Sequence, residues 1–338
     1  MRIIVLALII SFTAFSQENI KYANTINITD IEKHISVLAS DSLEGRETGK
    51  KGQKMAADYI AQHFKKIGIP PYKHKTYFQK FKVRKQKHLC KCDDCDLDIF
   101  KKIAGVNNWV RGENVLGYIE GTDLKNELII ITAHYDHLGK HDSLIFNGAD
   151  DDASGTAGAL EIAEAFMLAK KEGNGPRRSI LVMPVSGEEK GLLGSKYYTD
   201  NPVYPLKKTI ANLNIDMIGR IGDFHTHPNY VYLIGSDMLS TELHNISEEV
   251  NKKYTKLELD YTFNKEDDPN RYYYRSDHYN FAKNNIPVIF YFNGIHEDYH
   301  KPTDTIEKLD FEKIRKISKL IFLTAWELAN RTERIKLD

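Results

Sequence analysis

The hydrophobic and polar positions of this 338-residue chain follow the two repeats that are typical of strands and of helices. An uncharged run from Leu128 to Ala133 predicts a strand buried on both faces, as in a mostly parallel sheet. Apolar runs at 179–185, 210–218, 230–234 and 286–292 predict further strands. Apolar positions at helical spacing predict helices that begin near residues 30, 54, 154 and 311. Strands that alternate with helices indicate a single α/β domain: a three-layer sandwich with a mostly parallel, mixed central sheet flanked by helices.

The segments before the central strand have patterns of their own. Residues 114–120 and 128–133, joined through Gly121-Thr122-Asp123, predict a hairpin. Lysines among aromatic residues over 73–91 predict an exposed edge strand protected by charge, which explains the pattern more simply than nucleic-acid binding does. We expect residues 84–113 to be an irregular insertion. It contains all the cysteines of the chain, for which a local disulfide is favoured with one thiol left over: Cys90, Cys92 and Cys95.

The amino terminus has the pattern of a secretory signal peptide. Arg2 precedes an apolar run from Ile3 to Phe15, and Ser16 offers a cleavage point, so the predicted mature domain spans 17–338. The run is shorter than the roughly 20 residues that a membrane span needs, although an uncleaved anchor is an alternative. We therefore expect an exported protein, periplasmic or extracellular, with no stable membrane association. A net charge of zero gives no field that would attract nucleic acid.

Residues of the types that bind metals occur in five stretches, each of which comes after apolar residues. In open α/β sheets the carboxyl ends of the strands meet at one edge, where ligands bind. Carboxylates crowded there repel one another unless a cation neutralises them, and imidazoles mixed with carboxylates suit zinc. A pair of such ions needs a bridging carboxylate. The five stretches are His134–Asp136, Gly148–Gly155, Ser186–Glu189, Asn214–Asp216 and Asp298–His300.

The order and spacing of these stretches resemble the co-catalytic di-zinc aminopeptidases of secreted bacterial type, metallopeptidase clan MH, family twenty-eight. The resemblance covers about residues 38–331. It rests on His134–Gly139, Gly148–Gly155, Gly187–Ser195 and Asp298–Thr305. It implies a phosphorylase/hydrolase-like zinc exopeptidase fold, two Zn²⁺ per chain, and peptide substrates with a free amino terminus.

The resemblance also implies a role for each matched residue. A water between the zinc ions would be the nucleophile, and Glu188 the general base. Asp136 would orient a metal-binding histidine, and Tyr274 or Arg275 would contact substrate. The implied metal ligands are His134 and Asp216 for one zinc, Glu189 and His300 for the other, and Asp151 as the bridge.

Several alternatives compete with this interpretation. Residues 296–300 match the H-E-x-x-H pattern of single-zinc proteases, but that pattern works on a helix, and Pro302 disfavours a helix here. A one-zinc acyltransferase of the glutaminyl cyclase type, or a peptidase-like binding domain without metals, would lack some of the filled positions. His225 and His227 could bind a metal, although a surface loop is the favoured interpretation. Ser276 either lies near the pocket or caps a helix.

Overall fold

A seven-stranded mixed sheet forms the centre of the molecule. The computed structural model describes residues 19–72, 75–84 and 109–338. Within these, the strand order in the large sheet is β10-β9-β11-β8-β4-β7-β3. The strands are β3 (Gly117–Ile119), β4 (Leu124–His134), β7 (Arg178–Val185), β8 (Thr209–Ile215), β9 (Tyr230–Ile234), β10 (Glu258–Asp260) and β11 (Val288–Phe292).

Helices cover both faces of this sheet, which confirms the predicted three-layer α/β sandwich. They are α1 (Ile28–Leu38), α2 (Lys51–Ile67), α3 (Gly155–Lys171), α4 (Leu193–Asp200), α5 (Thr241–Val250), α6 (His278–Ala282) and α7 (Phe311–Asn330). None of the helices in the described ranges is long and apolar enough to cross a membrane.

The central strand β4 is buried on both faces because its alternate side chains enter two different cores. Ile129 and Ile131 pack with the helices of one layer, where Phe166 of α3 stacks on Trp326 of α7. Ile130 points the other way, into a smaller core that includes Phe281 of α6. An uncharged run is therefore required along this strand, as the sequence pattern predicts.

The carboxyl ends of four strands meet at one edge of the sheet. β4 is parallel to both β7 and β8, and β8 is parallel to β11. The segments that follow these strands therefore lie side by side. They carry the candidate metal-binding residues on 134–137, 186–189, 216 and 293–300.

Two predictions about the segments before β4 need correction. Residues 114–120 do not pair with β4, because β3 pairs antiparallel with β7 on its far side. Both ends of the predicted irregular insertion, Arg84 and residues 109–113, belong to strands. β1 (Phe78–Arg84) and β2 (Trp109–Val115) form an antiparallel pair, so any irregular insertion is shorter than the predicted 84–113. The cysteines and the signal segment lie outside the described residues. A second small pair comprises β5 (Gly139–His141) and β6 (Leu144–Phe146).

Candidate metal centre

Asp151 lies at the middle of a cluster of imidazoles and carboxylates, which are buried except for the partly exposed His300. Its Oδ1 is 3.1 Å from Nε2 of His134, and its Oδ2 is 3.2 Å from Nε2 of His300. The side chain is 4% exposed, so these carboxylate oxygens face the two rings rather than solvent. One carboxylate therefore connects two separate histidines.

Each histidine also faces a second carboxylate. Nε2 of His134 is 3.4 Å from Oδ1 of Asp216, at the end of β8. Nε2 of His300 is 3.3 Å from Oε2 of Glu189, in the segment after β7. The sequence-predicted ligands are thus brought together as two groups that share Asp151. We call His134, Asp151, Glu189, Asp216 and His300 the metal cluster.

His137 is a further buried imidazole beside this cluster, and the sequence analysis assigned it no role. Its Nδ1 lies 2.8 Å from Oε1 of Glu189 and 3.7 Å from Oδ2 of Asp151. Its other ring nitrogen, Nε2, is buried and has no hydrogen-bond partner within the described part of the chain. Ligand-type atoms of His137, Asp151 and Glu189 lie within 4.8 Å of one another, as do those of His134, Asp152 and Asp216.

Asp152 has a different role from its neighbour Asp151. Its Oδ2 accepts a hydrogen bond from the backbone N–H of His134 at 3.1 Å. Its Oδ1 accepts from the N–H groups of Gly155 and Met217. Because both oxygens already accept backbone hydrogen bonds, Asp152 braces the strand ends and the start of α3.

Asp136 orients His134, but through its main chain. Nδ1 of His134 lies 3.1 Å from the carbonyl oxygen of Asp136 and 3.9 Å from its carboxylate. The carboxylate instead accepts hydrogen bonds from Thr48 Oγ1 and from the backbone N–H of Glu188. Asp136 therefore also joins the end of β4 to the segment that carries Glu188 and Glu189.

A chain of buried hydrogen bonds fixes Asp216. The hydroxyl of Ser276 donates to Oδ2 of Asp216 at 2.6 Å and accepts from Asn214 Nδ2 at 2.8 Å. Oδ1 of Asn214 in turn accepts from Thr132 on β4. Ser276 does not cap the following helix, whose N-cap is Asp277. The serine acts on a predicted metal ligand instead.

The loop that carries Asp151 is held from outside by Asp304. Its carboxylate accepts hydrogen bonds from the backbone N–H groups of Asp150 and Asp151, each at 3.1 Å. Gly148 begins this loop with a φ of +55°, and a Cβ there would meet the ring of His137 at 2.5 Å. Only glycine therefore fits both the backbone conformation and the space at this position.

A short segment before α2, residues 46–48, contacts three of the ligand-bearing loops. Arg46 is fully buried and donates to the carbonyl oxygens of Leu38, Tyr135, Asn147 and Gly148. Glu47 accepts a hydrogen bond from Lys190 at 2.9 Å, and Thr48 donates to Asp136. Burial lowers the pKa of Arg46 to about 10, and the carboxylates of the site oppose that shift. The sequence analysis assigned this segment no role.

Glu188 faces a cleft beside the metal cluster. Cluster residues line part of the cleft, and residues that pack together as one apolar wall line another part: Met217, Tyr272, Phe290, Phe292 and Ile295. Arg275 and Tyr299 also line it. The prediction for Arg275 thus fits its position, whereas Tyr274 is not among the lining residues and Tyr272 takes that place.

Burial, together with the carboxylates of Glu189 and Asp216, raises the pKa of Glu188 well above its ordinary value.

The charge balance of the cluster fits cations. Burial opposes protonation of His300, but Glu189 and Asp151 outweigh it and raise its pKa to about 11. Burial likewise opposes ionisation of Glu189, but His300 outweighs it and lowers the pKa of that carboxyl to about 2. Ionised carboxylates in a buried site demand positive charge. A donor set of two to three imidazoles and three carboxylates, with buried atoms left without hydrogen bonds, suits a pair of zinc ions.

The H-E-x-x-H match at residues 296–300 places only His300 in the metal cluster. Residues 296–300 form a turn rather than a helix, and His300 has a φ of +56°, as expected for a chance match to H-E-x-x-H. Nε2 of His296 instead lies 3.2 Å from Oδ2 of Asp150. The single-zinc protease arrangement is therefore absent from this turn.

Comparison with known proteins agrees with the geometry. The profile of Peptidase family M28 matches residues 114–325. A probable leucine aminopeptidase of Trichophyton verrucosum is 32% identical over 213 residues, 61% of this chain and 55% of that protein. Aminopeptidase YwaD of Bacillus subtilis is 26% identical over 233 residues, 66% of this chain and 46% of that protein. The chain spans about half the length of the curated relatives it matches.

Solved structures share the fold over nearly the whole chain. The LapA aminopeptidase of Legionella pneumophila superposes with a TM-score of 0.70 and 22% identity, covering 94% of this chain and 75% of that one. BSAP, a zinc aminopeptidase from Bacillus subtilis, gives a TM-score of 0.70 with 17% identity, covering 92% and 98%.

Proposed function

The chain belongs to peptidase family M28, and from this membership and the geometry of the cleft we propose that it is a di-zinc aminopeptidase. It removes amino-terminal residues from peptides. The observation that carries the proposal is the position of Asp151, whose two carboxylate oxygens face two different histidines at 3.1 and 3.2 Å. A shared carboxylate of this kind is what a pair of ions a few Å apart requires.

The two ions would be held by the two halves of the metal cluster. His134 and Asp216 would bind one zinc, Glu189 and His300 the other, and Asp151 both. Zinc ions bound there would polarise the scissile carbonyl and acidify a water molecule. The hydrogen bonds from Ser276 to Asp216, and from His134 to the carbonyl of Asp136, fix the orientation of the ligands.

Glu188 is the proposed general base. It lines the cleft beside the cluster without being one of the proposed ligands, and its raised pKa favours the uptake of a proton. It takes a proton from the attacking water and passes it to the leaving amine. Arg275 and Tyr299, both in the cleft, position the substrate main chain. The apolar wall accepts the amino-terminal side chain, so apolar residues are the preferred substrates.

The proposal is tested with a leucyl-arylamide, its glutamyl counterpart and the N-acetylated leucyl compound, with zinc per chain measured in parallel. We expect at least two zinc ions per chain, turnover of the leucyl compound above that of the glutamyl one, and no turnover of the blocked compound. Cleavage of the blocked compound at a comparable rate, or one zinc per chain, would overturn the proposal.

A Glu188→Gln variant tests the base separately. We expect it to keep two zinc ions and to lose about 10²–10⁴-fold in kcat, the usual value of general acid–base help. Glu189→Gln is the matched control, because it changes a proposed ligand by the same single group and is expected to lose zinc as well. Near-normal turnover of Glu188→Gln with its zinc intact would disprove the assigned role.

Export is part of the proposal and rests on the pattern of residues 1–16 alone. Mass spectrometry of protein from the native host is expected to find an amino terminus at Gln17. Retention of residues 1–16 would contradict export through a cleaved signal.

A further inference from the structure

A second group of metal-ligand side chains lies at the same edge of the sheet, outside the cleft. His225 and His227 are on the loop 216–229, between β8 and β9, and Glu258 and Asp260 are on strand β10. Nε2 of His225 is 2.9 Å from Oδ2 of Asp260, and Nε2 of His227 is 3.3 Å from Oε2 of Glu258. Two imidazoles from one segment therefore face two carboxylates from another.

The position of His225 is fixed by its neighbours. Its ring stacks on Tyr230, with 3.4 Å between the ring centroids and 12° between the planes, and the edge of Tyr232 closes another side. The hydroxyl of Tyr230 donates to the carbonyl of Asn293 and accepts from the N–H of Gly222 in the same loop. His225 is thus preorganised, and its side chain is only 9% exposed.

The other two side chains are free to adjust. His227 is 49% and Glu258 is 54% exposed. One ligand atom from each of His225, His227 and Glu258 already lies within 4.8 Å of the others. Zinc holds nitrogen and oxygen ligands at about 2.0–2.2 Å, which places the ligand atoms of a tetrahedral site about 3.5 Å apart. Convergence onto one ion therefore requires a movement of about 1 Å, within the reach of exposed rotamers.

Asp260 completes the chemistry of the site. A metal-binding histidine typically uses one ring nitrogen for the ion and donates the other N–H to a carboxylate. The contact between His225 and Asp260 supplies such a carboxylate, and Glu258 and Asp260 project from one face of the strand because they are two residues apart. Two imidazoles with one or two carboxylates form a donor set that suits zinc.

We propose that His225, His227 and Glu258, supported by Asp260, bind a zinc-class divalent cation independently of the metal cluster. The ion joins the loop 216–229 to the edge strand β10. This loop begins at Asp216, and the N–H of Asp223 within it donates to the carbonyl of Ile295, a residue of the cleft wall. The cation therefore fixes the outer side of that wall. The alternative is two simple imidazole–carboxylate pairs with no ion.

Zinc binding in an Asp151→Asn background tests this proposal without reliance on the proposed function. The full chain with that substitution is dialysed against zinc, and metal per chain is measured with and without a second change, His227→Ala. We expect the double variant to bind one zinc fewer, whatever the Asp151→Asn site itself retains. Equal zinc in both chains overturns the proposal. His244→Ala, a histidine of α5 outside the group, is the matched control and is expected to leave the count unchanged.

A thermal-unfolding measurement separates a bound ion from a chance surface contact. Zinc added to the Asp151→Asn chain is expected to raise its Tm, and the increase is expected to be lost in both His227→Ala and Glu258→Gln. Because His227 and Glu258 are about half exposed, neither change threatens the fold. A zinc-dependent increase that persists in both variants overturns the assignment to these residues.

Discussion

Replacement of Arg46 by lysine is expected to weaken zinc binding more than a change in an ordinary buried arginine does. The four hydrogen bonds of Arg46 join the end of α1, the end of β4 and the loop that carries Asp151. Lysine keeps the charge, but its donors all project from one atom and cannot reproduce the planar fork. We expect about two of the four bonds to be lost.

The magnitude follows from the nature of these bonds. Hydrogen bonds to charged groups contribute about 1.5–3 kcal/mol each, so the loss of two lowers the free energy of unfolding by about 3–6 kcal/mol. Folded proteins typically have a free energy of unfolding of roughly 5–15 kcal/mol, and the expected loss is within that range. We therefore expect Arg46→Lys still to fold at moderate temperature. The loop of Asn147 and Gly148 loses its anchor. Zinc affinity should fall by about 10–100-fold, as it does when residues that support metal ligands are changed.

Arg178 provides a matched control at the other end of the sheet. It too is buried, pairs with Glu127, and donates to the carbonyls of Leu328, Arg331 and Thr332. It begins β7, so the length of the strand separates it from the metal cluster by about 25 Å. Arg178→Lys is expected to lose a similar amount of stability without a change in zinc affinity.

The assay has two parts. Guanidinium unfolding of the metal-free variants gives the stability loss, and competition with a chromophoric chelator gives the zinc dissociation constants. The reasoning is refuted if both variants lose stability equally and bind zinc as tightly as the parent. Arg46 would then be a residue of the fold alone.

Three further predictions concern the cluster and the core. For the next two tests, zinc is counted in a His227→Ala background, which removes the proposed second site. Asp151→Asn is expected to lose both zinc ions of the metal cluster, because it alone serves two, whereas His296→Ala keeps both; metal analysis showing two ions in the first or none in the second would contradict the assignment. His300→Ala is expected to retain one zinc in the metal cluster and His137→Ala two, and the reverse result would make His137 the ligand. Glu161 is buried, which raises its pKa to about 8, so its protonated form is the one the fold favours. Its contribution to stability is full below pH 4.5 and is lost as the pH rises through about 8. Glu161→Gln should therefore gain up to about 5 kcal/mol over the parent above pH 8 and little below pH 4.5. A difference in the free energy of unfolding that does not vary with pH refutes this.

The order of strands and helices could be predicted from the sequence because the buried face of each element has apolar residues at a spacing typical of a strand or of a helix. The run at 128–133 indicates a doubly buried strand, and the structure places it at the centre of the sheet. The hairpin prediction for 114–133 was wrong because a turn signal is local, whereas sheet position is not. The N–H of Thr122 in that turn bonds to the carbonyls of Pro176 and Arg177, and β3 is thereby directed to β7.

Residues at strand ends were predictable for a related reason. Parallel strands bring their carboxyl ends to one edge, so a polar residue type directly after an apolar run marks the position of the site. This rule places His134, Glu189 and Asp216 together from the sequence alone. It gives no information about Ser276, whose neighbours suggest a helix cap, or about which of three consecutive tyrosines enters the cleft.

The residues that hold the ligand-bearing loops in place are the part of the site that is hardest to predict from the sequence. Residues 46–48 lie in a short turn about 90 positions before His134, and their residue types are ordinary for a surface. They also precede the part of the chain that the family profile matches, residues 114–325. Yet Arg46 and Thr48 contact the loops of Asp151 and Asp136, and Glu47 pairs with Lys190, next to Glu189. His134 and Asp216 lie at strand ends, which many sequences can supply, whereas the loop of Asp151 is held by an arginine whose four acceptors are all main-chain carbonyls. Main-chain groups carry no sequence signal, so the precision of this centre follows from the fold and not from any motif.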